Sequence, residues 1–179
     1  MSMHKPLTAL ILALSFGTGT AFAQNTGLGQ PISEADIKAW DIAVLPDGTN
    51  LPPGSGTSAQ GAKVYAEKCA ACHGEGGKGG AAPGAGPLVG GEPLTNGIDA
   101  VKTIANYYAY ATTVFDYIRR AMPFNAPRSL NDNEVYALTA YILTLNKLIG
   151  ENDMLDAKTL PQVKMPNRDN FIIPYPDRI

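Results

Sequence analysis

Two thiols separated by two residues, with an imidazole directly after the second, stand out in this chain as Cys69-Ala70-Ala71-Cys72-His73. At that spacing the thiols sit one helical turn apart, so each can add to a vinyl group of one planar macrocycle while the histidine lies beneath its iron. The same pair of cysteines also suits a thioredoxin-type redox couple or half of a zinc site. Zinc requires further nitrogen or sulfur ligands, and the chain has no third cysteine and only one other histidine, His4, close to its start. A thioredoxin motif belongs in a βαβ setting, and no such pattern surrounds these residues. The motif therefore predicts one covalent haem c, attached through Cys69 and Cys72, with His73 as an axial ligand. Its free ring nitrogen would donate to a backbone carbonyl and so hold the imidazole plane.

The second axial ligand is narrowed by what remains. If His4 leaves with a leader peptide, a bis-histidine haem has no second partner, and a methionine thioether is the next choice. Met122, Met154 and Met165 are the candidates. Met122 comes first because it ends a helical pattern and precedes Pro123; Met165, also followed by a proline, comes second and Met154 third. A thioether ligand would complete a low-spin iron and raise its reduction potential.

Several elements must position these groups. Thr57 or Ser58 can cap a helix through Gly61, Val64 and Tyr65 that delivers the cysteines. Residues 74–91 are dominated by Gly, Ala and Pro, which suits a loop wrapped closely around a flat ligand. Helical patterning resumes over 99–110 and over 112–121, where Pro123 stops it. Asn131 or Asp132 can cap a last helix that carries Val135, Leu138, Tyr141, Ile142 and Leu145 and runs on until Gly150. No segment reads as a strand, so the expected fold class is all-α. The expected organisation is a leader at 1–23, an extended N-terminal arm at 24–57, a haem domain at 58–150 and a C-terminal extension at 151–179. The arm carries one short helical piece near Ile37, Trp40 and Val44, with Trp40 expected to pin it to the domain. The proline-rich tail is expected to lie on the domain or on a partner.

Lys5 followed by an apolar run and closed by Ala21-Phe22-Ala23 reads as an export signal cleaved after Ala23, which places the mature chain in a bacterial periplasm. The run is too short to span a bilayer. In that oxidising compartment disulfides are the usual staple for a small core, yet Cys69 and Cys72 are the only cysteines, and a covalent haem would supply the missing core. The formal net charge is −2, and no basic stripe is present, so nucleic acid is excluded as a partner.

Taken together, residues 58–148 resemble a class I cytochrome c. That resemblance implies N-terminal and C-terminal helices crossing beside the haem, with Gly61 and Tyr65 packed on Leu138 and Tyr141. Gly86-Pro87-Leu88 is similar to the family's loop whose proline carbonyl accepts the hydrogen bond of the axial histidine, which implicates Pro87. More narrowly, the run from Val114 to Pro127 around Met122 resembles the cytochrome subunits of sulfur-oxidising dehydrogenases. Pro46-Asp47-Gly48 in the arm and Met165-Pro166-Asn167-Arg168-Asp169 in the tail are similar to the same group. It implies a molybdenum-dependent sulfite or sulfur dehydrogenase as electron donor and a downstream cytochrome c or oxidase as acceptor. Some relatives carry two haem motifs, whereas this chain has one, so a single-haem sulfite dehydrogenase subunit is the nearer match. Two rival readings are an acceptor for another periplasmic dehydrogenase, such as one for alcohols, and a haem enzyme acting on a small ligand at an open iron position.

Some further residues invite roles. Tyr107, Tyr108 and Tyr110 could line the haem edge or simply fill core. Arg119 and Arg120 could reach a propionate or a partner's acidic surface, or lie solvated at a helix end. Lys63, Lys68 and Lys78 could form a loose positive rim for steering a redox partner.

Overall fold

The computed structural model describes residues 29–80, 82–94 and 99–171. The leader and its cleavage site, and the last prolines of the tail, lie outside the described residues. Helix α2 (Ser58–Lys68) begins where Thr57 Oγ1 accepts from the Gln60 amide and Gln60 returns an acceptor to the Thr57 amide, at 3.4 and 2.9 Å. Helix α6 (Asp132–Leu145) starts the same way, with Asn131 and Glu134 exchanging bonds of 3.0 and 2.9 Å. These two helices cross closely because Gly61 faces the Ala137 backbone. A Cβ on Gly61 would overlap the Ala137 carbonyl, and one on Gly56 would overlap the Ala137 amide. Tyr65 and Tyr141 stack beside the crossing with ring centroids 5.2 Å apart, and Leu138 is buried there.

Helix α5 (Ala111–Ala121) lays Val114, Phe115 and Ile118 into the same core, with Phe115 and Tyr136 at 4.5 Å between ring centroids. Pro123 follows the Met122 cap and prevents its continuation. The helix expected from residue 99 is reduced to α4 (Ile104–Tyr107). Asn106 explains the shortening. Its side chain accepts from the Thr103 amide at 2.7 Å and donates to the Glu92 and Val101 carbonyls at 2.8 and 2.9 Å, which fixes a late start and a non-helical approach.

Two short strands correct the expectation of a strand-free chain. β1 (Ser55–Thr57) pairs antiparallel with β2 (Met154–Asp156), Gly56 opposite Leu155. Three residues are too few to show a period of two, and the middle one is a glycine because only a bare backbone fits over Ala137. The tail does lie on the domain: Leu155, Leu160 and Met165 are all buried in the shared core. The arm forms α1 (Glu34–Trp40), capped by Ser33, but no residue of α1 is buried. Trp40 is 85% exposed and pins nothing. Val44 and Leu51 hold the arm instead, together with a 3.0 Å bond from the Tyr136 hydroxyl to the Pro52 carbonyl.

Candidate haem site

Helix α2 ends at Cys69, whose amide still donates to the Tyr65 carbonyl at 2.9 Å, and the short helix α3 (Ala70–His73) follows at once. The Cys72 and His73 amides both return to the Cys69 carbonyl, at 3.1 and 3.0 Å, so the motif is a single tight turn. Cys69 is half-buried against the core and Cys72 is exposed, and neither is bridged. Burial pushes the Cys69 thiol up to about 11, against the opposing pull of Lys68.

His73 Nδ1 lies 3.3 Å from the Gly86 carbonyl, which leaves Nε2 as the nitrogen available to a metal. This corrects the expected acceptor by one residue. Pro87 follows that carbonyl directly, and a proline ring disfavours helical backbone at the residue before it. The backbone of Pro87 also packs on Gly79 so closely that a Cβ there would meet the Pro87 nitrogen at 2.8 Å. Gly79, at φ +82°, in turn donates to the His73 carbonyl at 2.8 Å.

The loop hangs from the two crossing helices. Tyr65 Oη donates to the Gly74 carbonyl at 2.9 Å, and burial raises that phenol to about 12. Asn146, at the end of α6, donates to the Leu88 carbonyl at 3.1 Å and accepts from the Gly90 amide at 3.3 Å. Asn146 is not among the residues the sequence points to, and Gly86 enters there only as part of Gly86-Pro87-Leu88. An asparagine closing a long apolar helix is the signal that could have found the first.

Met122 caps α5 in extended conformation and is half-buried against the same core that Cys69, Leu88 and Tyr108 border. The other two methionines are placed differently: Met165 is 3% exposed within the core, and Met154 is 51% exposed on β2. The three tyrosines divide as well. Tyr108 packs on the core, while Tyr107 and Tyr110 receive the tail, with Phe171 at 6.3 Å from the first and the Arg168 guanidinium at 4.4 Å from the second. Arg119 and Arg120 are paired internally, with Asp132 and Asp116. Lys68 pairs with Glu134 at 2.7 Å, and its hydrogen bond holds the pKa of that carboxyl below its usual range.

The donor set suits a covalent haem. Two unbridged thiols lie a turn apart beside an imidazole with one nitrogen engaged and one free, and among the described residues no cluster of His, Cys, Asp and Glu could hold a metal ion by itself. The family model of cytochrome c matches residues 58–146. The fold also superposes on the crystal structure of the sulfane dehydrogenase SoxCD from Paracoccus pantotrophus, with a TM-score of 0.73 and 41% identity over 86% of this chain and 73% of that one. The chain belongs to the cytochrome c family. Covalently bound haem c is accordingly the cofactor of this cytochrome, and electron transfer is its chemistry. The structural match reaches well beyond residues 58–146, so parts of the arm and tail belong to what the two structures share. No helix among the described residues of the cytochrome is long and apolar enough to cross a membrane.

Proposed function

We propose that this cytochrome is an exported electron-transfer subunit. It accepts electrons from a molybdenum-dependent sulfite or sulfur dehydrogenase subunit in the periplasm and passes them to a downstream cytochrome c or oxidase. The observation that carries the donor is the 41% identity to the sulfane dehydrogenase structure across most of the chain, arm and tail included. Cys69 and Cys72 would hold the haem covalently, His73 Nε2 and the Met122 thioether would bind its iron, and Pro87 would hold the Gly86 carbonyl against His73 Nδ1.

A haem held there would supply one-electron chemistry between ferric and ferrous iron. The protein's part is to hold that group. The Gly86 carbonyl sets the imidazole tautomer, and the half-buried Cys69 anchors one edge of the group to the core. Of the three methionines, Met122 stands at the core border without being sealed inside it, as a residue that must reach a ligand requires.

The test is to mix the oxidised cytochrome with a cytochrome-depleted periplasmic extract and add sulfite, thiosulfate or methanol in turn, following the ferrous α-band. Rapid reduction that needs both extract and a sulfur substrate is the expected result. Reduction with methanol alone would reassign the donor to an alcohol dehydrogenase and leave the haem chemistry intact.

A further inference from the structure

Helix α5 presents Thr112, Asp116 and Arg119 on one face, at spacings of four and three residues, and each takes hold of the arm's backbone. Thr112 Oγ1 donates to the Pro46 carbonyl at 3.4 Å, Asp116 Oδ1 accepts from the Val44 amide at 3.1 Å, and Arg119 Nη1 donates to the Ile42 carbonyl at 3.4 Å. Arm residues 46, 44 and 42 thus answer helix residues 112, 116 and 119 in reverse order. The arm runs antiparallel along the helix as an extended segment whose polar groups are satisfied by side chains rather than by a sheet.

The contact is a buried one. Thr112, Asp116 and Val44 are 1%, 7% and 8% exposed. Asp116 also takes the Arg120 guanidinium on its other oxygen, and Arg119 Nε reaches Asp132 in the first turn of α6 at 3.1 Å. Of these residues Arg119 and Arg120 lie within one turn of Met122, with Asp116 under two turns and Thr112 under three turns before it on the same helix. The ligand-bearing end of α5 is therefore fastened to the arm on one side and to α6 on another.

We propose that the arm is a splint for the Met122 end of α5 and that Asp116 is its positioning residue, an inference that rests on Met122 being the axial ligand. A neutral thioether is a soft ligand that competes poorly for ferric iron, so its bond depends on the sulfur being held in place beforehand. Asp116 acts at a distance from the iron, through the helix end.

The experiment compares the haem-loaded wild type with Asp116→Ala, Asp116→Asn, Met122→Ala and the control Asp156→Ala, which removes an exposed turn carboxylate on β2. Two readouts report the sulfur ligand directly: the red sulfur-to-iron charge-transfer band of the ferric protein, and the affinity of ferric protein for added imidazole. Asp116→Ala is expected to weaken the band and to raise imidazole affinity roughly tenfold, the scale of one lost charge-assisted hydrogen bond. Asp116→Asn should fall between it and wild type, and Asp156→Ala should leave both readouts unchanged. A lower melting temperature in Asp116→Ala with band and imidazole affinity as in wild type would overturn the splint. If the wild type lacks the band and Met122→Ala leaves imidazole affinity unaltered, the Met122 assignment fails and the splint with it. Should Asp116→Ala not fold, Arg119→Gln, at the same contact but less buried, is read in its place with the same expected direction.

Discussion

The crossing of α2 and α6 and the loop from Gly74 to Gly91 border each other, yet they are built on opposite terms. At the crossing, backbone meets backbone at Gly61 and Ala137, Tyr65 and Leu138 close the sides, and the element is complete in protein atoms. The loop has one buried residue among those described, Gly77, and is held by hydrogen bonds with Tyr65, Asn146, Gly79 and the His73 ring. The difference teaches that half of the site is a self-sufficient frame and half is a drape that takes its order from what it surrounds. Loosening the frame should cost stability wherever the haem is; loosening the drape should show chiefly in how the haem is held.

The largest break is expected at the frame. Gly61→Val, which places branched carbons against the Ala137 carbonyl, should destabilise the haem-loaded protein by about 3 kcal/mol or more, measured by urea denaturation. In the drape, Asn146→Ala takes from the Gly90 amide its partner and from the Leu88 carbonyl one of its two donors, the Ile104 amide remaining, and should cost about 2 kcal/mol, with faster amide exchange confined to the loop.

Tyr136→Phe tests a frame residue that also holds the arm. Loss of its bond to Pro52 should cost about 1 kcal/mol at neutral pH. Burial raises the Tyr136 phenol to about 12, so the folded state keeps a proton that the unfolded chain releases near its ordinary value of 10. That contribution is present below pH 10 and is lost as pH rises from about 10 through about 12. The substitution should therefore flatten the alkaline fall in stability, with the similarly raised Tyr65 accounting for part of what remains.

The smallest effect is expected from Lys68→Ala. Its pair with Glu134 joins α2 to α6 but is partly exposed, and should be worth between a few tenths and about 1 kcal/mol, screened by salt. Because Lys68 holds the Glu134 carboxyl below its ordinary range, that contribution is present above the usual carboxylate titration and fades as the pH falls through it. Thermal melts at pH 7 and below pH 4, in low and high salt, check the sign.

Much of the frame was legible in the sequence, because its signals are local. Thr57 with Gln60 and Asn131 with Glu134 mark helix starts by themselves, and the apolar period of α6 declares its buried face. The motif at Cys69, Cys72 and His73 needs only spacing to be recognised, and the resemblance pointed to the crossing at Gly61. What failed were statements about partners. Periodicity gave Trp40 apolar surroundings that it lacks, and it could not show that Arg119 and Arg120 pair with Asp132 and Asp116. The strands β1 and β2 lie almost a whole domain apart in the chain and have three residues each, so their pairing leaves no local trace. The shift of the histidine's acceptor from Pro87 to Gly86 is likewise a matter of which carbonyl a loop turns inward, and composition does not encode it.

The burial of Cys69 has a further consequence in the order of synthesis. A chain that emerges N-terminus first presents Cys69, Cys72 and His73 long before α6 and the strand Met154–Asp156 exist. During that interval the Cys69 thiol, which the finished fold half covers and holds protonated, has neither cover nor burial to suppress its reactivity. The timetable of emergence thus leaves Cys69 open until the core on which it packs has been made.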